Sequence, residues 1–194
     1  MDTVDVDAAS SVSAGAINAV NARAANTDFA TFARERQQQL YRTAYLLCGN
    51  RDRAQDLVQS TLVALLRSWA KARDAQNLDA YAKKTLVRAF LSERRKLRRE
   101  AEIQTLASGG RGERAVPGPA TEAELRILVL EALRSLPPKP RAMLVLRYWE
   151  DLSVEQTAAI LGCSEGNVKS QCSRSLDKLR ILLGEPFAEL IASP

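Results

Sequence analysis

The chain has 194 residues, of which 46% are hydrophobic and 26% charged, a composition typical of a globular protein with one or two domains. No apolar run approaches the ~20 residues that a membrane-spanning helix needs, and the acidic N-terminus does not resemble a secretory signal. The absence of histidine excludes Ser-His-Asp and Cys-His catalysis. Three cysteines (Cys48, Cys163 and Cys172) cannot form a four-cysteine metal site, so we expect reduced thiols in the cytoplasm and neither metal nor cofactor.

The net charge of +5 is distributed unevenly along the chain. Residues 29–99 contain sixteen basic and six acidic residues, and residues 125–183 contain nine and six. Residues 1–28 and 100–124 are both acidic. An excess of ten positive charges in the first basic segment is more than solubility requires, so this pattern predicts a polyanionic partner, with nucleic acid the first candidate.

Apolar residues recur every three or four positions through most of the chain, which predicts an all-α protein. The pattern indicates a first helix from Phe29 to about Leu47, a second over about 52–70, and a third that Asn77 or Asp79 could cap and that ends near Arg99. Four more helices are expected over about 121–136, 139–150, 153–161 and 164–183.

Two segments lack this helical pattern. Residues 1–28 have no clear apolar stripe, and we predict a disordered extension there. The stretch 108–120 contains four glycines and two prolines, which is typical of a flexible tether. The predicted organisation is therefore an extension (1–28), a three-helix domain (29–99), a flexible linker (100–120), a four-helix domain (121–184) and a C-terminal tail (185–194).

The third predicted helix carries a dense row of basic side chains. Eight basic residues stand against Glu93 alone, while Leu86, Phe90 and Leu97 keep an apolar stripe. We call these eight residues the basic ridge: Lys83, Lys84, Arg88, Arg94, Arg95, Lys96, Arg98 and Arg99. Such a ridge would follow a phosphate backbone; a calmodulin-binding or membrane-surface helix is the alternative. The polar loop 73–80 before it could hold an unstacked base, whereas Trp69 is expected in the core.

Residues 153–183 have the pattern of a helix-turn-helix. Ser153 and Gln156 form a capping-box pair, Gly162 permits a tight turn, and Ser164 can cap a second helix. Two helices joined by such a turn can place the second in the major groove of B-DNA. A packing hairpin with a solvated outer face is the alternative. The candidate DNA-reading residues are Ser164, Glu165, Asn167, Lys169, Ser170, Ser173, Arg174 and Lys178.

Two blocks together resemble the bacterial sigma factors of the extracytoplasmic-function (ECF) type, group 4 of the sigma-70 family. The first comprises DLVQSTLVALLRSW (56–69) and LDAYAKKTLVRAFLSERR (78–95), and the second comprises LPPKPRAMLVLRYW (136–149) with the helix-turn-helix. The wording of the first block is most similar to the actinobacterial SigE-like subgroup. The resemblance covers about residues 29–183.

This resemblance implies a non-enzymatic subunit that binds core RNA polymerase and directs transcription initiation at specific promoters. The polymerase clamp coiled coil would bind Asp56, Gln59, Leu62 and Leu66, and segment 136–149 would contact the flap. The melted −10 strand would be read by Asn77, Asp79, Tyr81 and Lys84, with Arg88, Arg94, Arg95 and Lys96 on its backbone. The helix 164–183 would read the −35 duplex. An anti-sigma factor is a possible further partner; a membrane is not expected, and the protein would be cytoplasmic and nucleoid-associated in the holoenzyme.

Two other functions are compatible with parts of the sequence. A stand-alone helix-turn-helix regulator would bind duplex DNA as a dimer through residues 29–99, although charged residues are depleted at interface cores. A nucleic-acid enzyme would need clustered carboxylates holding metal ions, and the acidic residues here are scattered. Within the resemblance, Gln171 and Ser173 are neutral or small where the family often has larger or basic groups, so the −35 preference is open.

Overall fold

The computed structural model describes the backbone of residues 6–104 and 122–184, and the side chains of residues 27–100 and 125–184. The described part is helical, with no β-strand in either range. The helices are α1 (Val6–Cys48), α2 (Arg51–Arg67), α3 (Trp69–Arg73), α4 (Leu78–Gln104), α5 (Glu122–Ser135), α6 (Pro138–Leu144), a π-helical turn (Val145–Trp149), α7 (Val154–Leu161) and α8 (Glu165–Leu183). The all-α prediction is confirmed. None of these helices combines the length and apolarity needed to cross a membrane.

Helix α1 begins far earlier than the sequence predicted. The structure continues it back to Val6, through most of the segment for which a disordered extension was expected. Residues 6–28 contain eight alanines, a single glycine and no proline, and alanine has the highest intrinsic helix propensity. Local propensity rather than an apolar stripe therefore accounts for this helix. Residues 1–5, the tether 108–120 and the tail 185–194 lie outside the described residues.

Helices α1 to α4 form the N-terminal half around one hydrophobic cluster. The second predicted helix is interrupted at Ser68, after which the short α3 begins. Trp69 is 6% exposed and packs against the rings of Phe29 and Phe32, with centroid distances of 5.2 and 5.4 Å. Its predicted place in the core is confirmed. The side chain of Asn77 accepts from the backbone N–H of Ala80 at 2.9 Å and so caps α4.

Helices α5 to α8 form the C-terminal half, with a second cluster between them. The capping box of α7 is present, since Ser153 and Gln156 each bind the other's backbone N–H. Gly162 ends α7 at φ +59°, and Ser164 caps α8 through the N–H of Asn167. The predicted helix-turn-helix is therefore confirmed in its geometry.

The two halves pack directly against each other. Val145 and Leu146 of the π-helical turn and Ile160 of α7 are buried in the same cluster as residues of α1, α2 and α4. Helix α4 contacts α6 and α7, and α1 contacts α5, α6 and the π-helical turn. Apolar side chains of the C-terminal half therefore complete the core of the N-terminal half.

A buried arginine joins the ends of α1 and α5. Arg141 is 3% exposed, and its Nη1 donates to the carbonyl oxygen of Leu47 at 2.6 Å. Its Nη2 donates to the carbonyl oxygens of Arg134 and Leu136 at 2.6 and 3.0 Å. Beside it, Gly49 has φ +65°, and a Cβ there would lie 2.3 Å from Cδ of Arg134. The chain turns after α1 in a space that suits only glycine.

Candidate nucleic-acid and polymerase interface

The outer face of α8 presents polar side chains at the start of the helix. Lys169, Ser170, Ser173 and Arg174 are exposed, and the opposite face is buried in the second cluster. Lysine and arginine can donate to guanine, and serine can contact any base edge. The cap of Ser164 and the positive end of the helix dipole also suit a phosphate near this end. This face has the chemistry of a major-groove reader.

Lys178 differs from the other candidate reading residues. Its Nζ donates to the carbonyl oxygen of Ser135 at 3.1 Å and so ties α8 to the end of α5. It lies nine residues after Lys169, about 13 Å further along the helix axis. Glu165 and Asn167 belong to the first turn of α8, closer to the predicted reading face.

The basic ridge follows one exposed side of α4. Arg88, Arg95, Lys96, Arg98 and Arg99 are exposed, and Arg94 is half-buried. Next to the ridge, a cavity of about 470 Å³ is lined by Arg88, Arg94, Arg95 and Arg98 together with residues 137–140 and 160–162 of the C-terminal half. Guanidinium groups on an apolar floor can hold the backbone of a single strand while its bases lie against the floor. The structure thus brings the ridge beside the turn of the helix-turn-helix.

A polar cavity lies beside the loop predicted to capture a base. It measures about 490 Å³ and is lined by the loop residues Gln76 to Asp79 and by residues of α1. Asp79 pairs with Arg36 at 3.1 Å, and Tyr81 donates its hydroxyl to Ser68 at 3.4 Å. Asn77 and Asp79 therefore meet at one cavity. Asp28 and Glu35 of α1 also line it, and sequence patterns did not point to them because the pairing of α1 with the loop is a tertiary contact.

The exposed face of α2 contains the four candidate polymerase-binding residues. Asp56, Gln59 and Leu66 are exposed and Leu62 is half-buried, while Leu57, Val58, Thr61 and Leu65 of the same helix are buried. Leu66 is 45% exposed. An open groove of about 610 Å³ runs between α1 and α2 and includes Gln59 and Leu62.

The same face contains further residues that sequence reasoning missed. Val63 is 49% exposed and stands seven residues after Asp56, on the same side of the helix. Gln37, Gln38 and Tyr41 of α1 line the other wall of the groove. The spacing of Val63 could have revealed it, whereas the α1 residues required knowledge of how the helices pair.

Two aromatic residues are exposed on the C-terminal half. Tyr148 and Trp149 are 61% and 55% exposed at the end of the π-helical turn, within the segment predicted to contact the flap. Large exposed aromatic rings are enriched at protein interfaces. The polymerase-facing candidates therefore include an apolar patch on each half.

The cysteines are free thiols in packing positions. Burial, with a smaller contribution from Glu93, raises the pKa of Cys48 to about 11, and burial also raises the pKa of Cys172. Both thiols are therefore protonated at neutral pH, which disfavours a nucleophilic role. Across the described ranges, no group of three or more acidic or cysteine side chains is arranged to hold a metal ion.

Comparison with known families places both halves in one context. Residues 32–100 match the model of sigma-70 region 2, and residues 126–179 match the model of sigma-70 region 4. The chain is 35% identical over 153 residues to the RNA polymerase sigma-E factor of Streptomyces avermitilis, covering 79% of this chain and 83% of that protein. It is 38% identical over 147 residues to the ECF RNA polymerase sigma factor EcfG of Rhodopseudomonas palustris, covering 75% and 80%.

Solved structures give the same likeness. The sigma factor RpoE of Bartonella quintana, crystallised with the anti-sigma factor NepR, superposes with a TM-score of 0.66 at 27% identity, covering 81% of this chain and 98% of that one. CnrH, in complex with the cytosolic domain of CnrY, superposes with a TM-score of 0.57 at 22% identity, covering 84% and 93%. The second likeness supports the fold.

Proposed function

The chain belongs to the sigma-70 family as an RNA polymerase sigma factor of the ECF type, and on that premise we propose a division of promoter recognition between its two halves. As a sigma factor it binds core polymerase and directs promoter-specific initiation, without catalysis of its own. In our proposal α4 and the loop before it read the melted −10 strand, and α8 reads the −35 duplex. The observation that carries this proposal is the pair of separate, exposed nucleic-acid faces, one on each half.

The −10 assignment is supported by the chemistry of α4. The cavity at Asn77 and Asp79 offers amide and carboxylate groups that suit a base edge rather than a phosphate. Tyr81 and Lys84 are half-buried in the first turns of the same helix, and the ridge continues from there. A base captured at the loop would therefore lead its strand onto Arg88, Arg94, Arg95 and Lys96. Binding energy from the splayed strand would offset part of the cost of melting.

The −35 assignment is supported by the first three turns of α8. Lys169, Ser170, Ser173 and Arg174 are exposed, and Ser164, Glu165 and Asn167 flank them at the N-terminus. The salt of any base preference rests on few side chains, because Ser173 and Gln171 are short or neutral. We expect Lys169 and Arg174 to contribute most, and Lys178 to support α8 against α5 rather than to contact a base.

The proposed polymerase contact is the α2 face with the groove beside it. Asp56, Gln59, Leu62 and Leu66 combine polar and apolar groups on one side of one helix, a pattern that fits a helical partner such as a coiled coil. Tyr148 and Trp149 would contact the flap. We further propose that an anti-sigma factor regulates this protein, as NepR binds the related RpoE, and that it works in the cytoplasm, on the nucleoid when in the holoenzyme.

Transcription with purified core polymerase tests the proposal at the −35 element. Start sites are mapped on a fragmented genomic library of the host with and without the protein, and the variant Lys169→Ala/Arg174→Ala is compared on the promoters found. Each good base contact contributes about 1–3 kcal/mol, so we expect activity to fall at least tenfold. The variant and the wild type should be equal on a template whose −35 element is replaced.

Two results would contradict this assignment. Library transcripts that do not depend on the protein would count against sigma activity. Full activity of the double variant on the intact promoter would remove α8 from −35 reading. Arg180→Ala serves as the matched control, since Arg180 is an exposed base of the same helix that pairs with Asp177 at 2.8 Å.

The docking face gives a second prediction. Asp56→Ala with Gln59→Ala removes two exposed polar groups from the α2 face while leaving its buried side intact. We expect the affinity for core polymerase to fall about tenfold, because interface anchors of this kind contribute on the order of 1–2 kcal/mol, and the affinity for −35 duplex to stay unchanged. Titration of labelled protein with core polymerase measures the first and fluorescence anisotropy on duplex the second. Unchanged polymerase affinity would refute the assignment.

A further inference from the structure

Glu150 is a buried carboxylate whose partners belong to the other half of the molecule. It follows the π-helical turn, and its side chain is 3% exposed. Its Oε2 lies 2.6 Å from Nζ of Lys83 on α4, which is 14% exposed. Its Oε1 accepts from the hydroxyl of Thr43, and its Oε2 also accepts from Nε2 of Gln39 at 3.4 Å. The C-terminal half supplies the anion, and the N-terminal half supplies the three groups that satisfy it.

This polar cluster sits within an apolar contact surface. Val145 and Leu146, a few residues before Glu150, are buried against the N-terminal half. A buried carboxylate that loses its cation costs far more than an exposed one. The apolar contacts favour closure in general, whereas Glu150 and Lys83 satisfy each other only when the halves meet in this one arrangement.

The closed arrangement cannot read both promoter elements at once. The −10 and −35 elements are separated by about 25 base pairs, or roughly 85 Å at 3.4 Å per base pair. A compact body of the size of residues 29–183 is about 40 Å across, from the usual scaling of radius of gyration with length. Residues 105–121 connect α4 to α5 and can extend to about 60 Å. The chain can therefore span the elements only after the halves separate.

We propose that Glu150, Lys83, Thr43 and Gln39 form a latch that holds the free sigma factor closed, and that core polymerase opens it on binding. The part concerning polymerase rests on the proposed function. The closed form reduces the apparent affinity for polymerase, because only the open fraction can place both halves on it. The latch therefore keeps the unbound protein from presenting its two DNA-reading faces at promoter spacing.

Small-angle X-ray scattering of the full chain tests the latch without polymerase. The variant Glu150→Gln keeps the shape of the side chain and removes its charge, and Lys83→Met removes the cation from the other half. We expect each to raise the radius of gyration by several ångströms, since loss of one partner leaves the other buried and unpaired and shifts the equilibrium toward the open form at least tenfold. Far-UV circular dichroism should stay helical.

Matched controls are Glu155→Gln and Lys71→Met, which alter exposed residues of the same charge and should leave the radius unchanged. The latch would be overturned if Glu150→Gln and Lys83→Met kept the wild-type radius, or if the wild type were already as extended as they are. Unfolding of one variant leaves the other, on the opposite half, to decide.

Titration with core polymerase then tests the functional part. We expect Glu150→Gln to bind about three- to tenfold more tightly than the wild type, because the open fraction is larger. Equal affinity despite an expanded radius would overturn the coupling to polymerase while leaving the latch itself supported. Absence of binding by the wild type and every variant would count against the proposed function, whatever the scattering shows.

Discussion

Reversing three charges of the basic ridge should abolish promoter opening. We expect Arg94→Glu/Arg95→Glu/Lys96→Glu to reduce open-complex formation by at least a hundredfold, because three phosphate-facing cations become three repelling anions. The fold should survive, since Arg95 and Lys96 are exposed and Arg94 is half-buried. Permanganate footprinting of the holoenzyme on a linear promoter measures the melted bases.

A template melted in advance separates strand binding from melting. If the ridge holds the strand, the variant should also bind the melted template weakly, and the salt dependence of binding should fall by about 2 in log–log slope, at ~0.7 per lost phosphate contact. Arg51→Glu/Lys71→Glu/Arg180→Glu changes the net charge equally at exposed positions outside the proposed interfaces. Normal opening by the ridge variant, or an equal loss in this control, would remove the specific role of the ridge.

Replacing the buried Arg141 should destabilise the protein more than any exposed substitution proposed here. Arg141→Met removes the hydrogen bonds to the carbonyl oxygens of Leu47, Arg134 and Leu136 and leaves three acceptors without this donor. Burial, with the neighbouring Arg94, lowers the pKa of Arg141 to about 10, so the guanidinium is charged at neutral pH. We expect the free energy of unfolding to fall by about 3–5 kcal/mol, measured by urea denaturation.

Arg180→Met is the control for this prediction, because it removes an exposed guanidinium and should change the stability by less than about 0.5 kcal/mol. Arg141→Lys should lie between the two, since an ammonium group can replace one or two of the bonds but not the planar fork. A loss below about 1 kcal/mol for Arg141→Met would mean that water satisfies the three carbonyls.

Much of the architecture could be predicted because it is encoded locally. The capping box at Ser153, the left-handed turn at Gly162 and the cap at Ser164 each depend on residues within three or four positions of one another. The stripe of α2 and the burial of Trp69 likewise follow from helical spacing. Both nucleic-acid faces could therefore be located before any tertiary contact was known.

The packing of one half on the other could not be predicted in this way. Glu150 and Thr43 are 107 positions apart, and Arg141 reaches Leu47 across 94, so no local pattern connects them. The sequence indicated two separate domains because the tether and the charge distribution divide the chain. It gave no sign that Val145 and Leu146 complete a core begun by α1. The helical start of α1 was missed for another reason, since an alanine-rich segment forms helix without an apolar stripe.

The π-helical turn at Val145–Trp149 has a consequence for how insertions and deletions would act on this protein. A π-helical turn is equivalent to an α-helix that contains one extra residue. Removing that residue would rotate everything after it by about 100°, turning Tyr148 and Trp149 away from solvent and Glu150 away from Lys83. The orientation of the recognition helix relative to the N-terminal half therefore depends on a single residue of chain length, and variation in this segment should favour substitutions over changes of length.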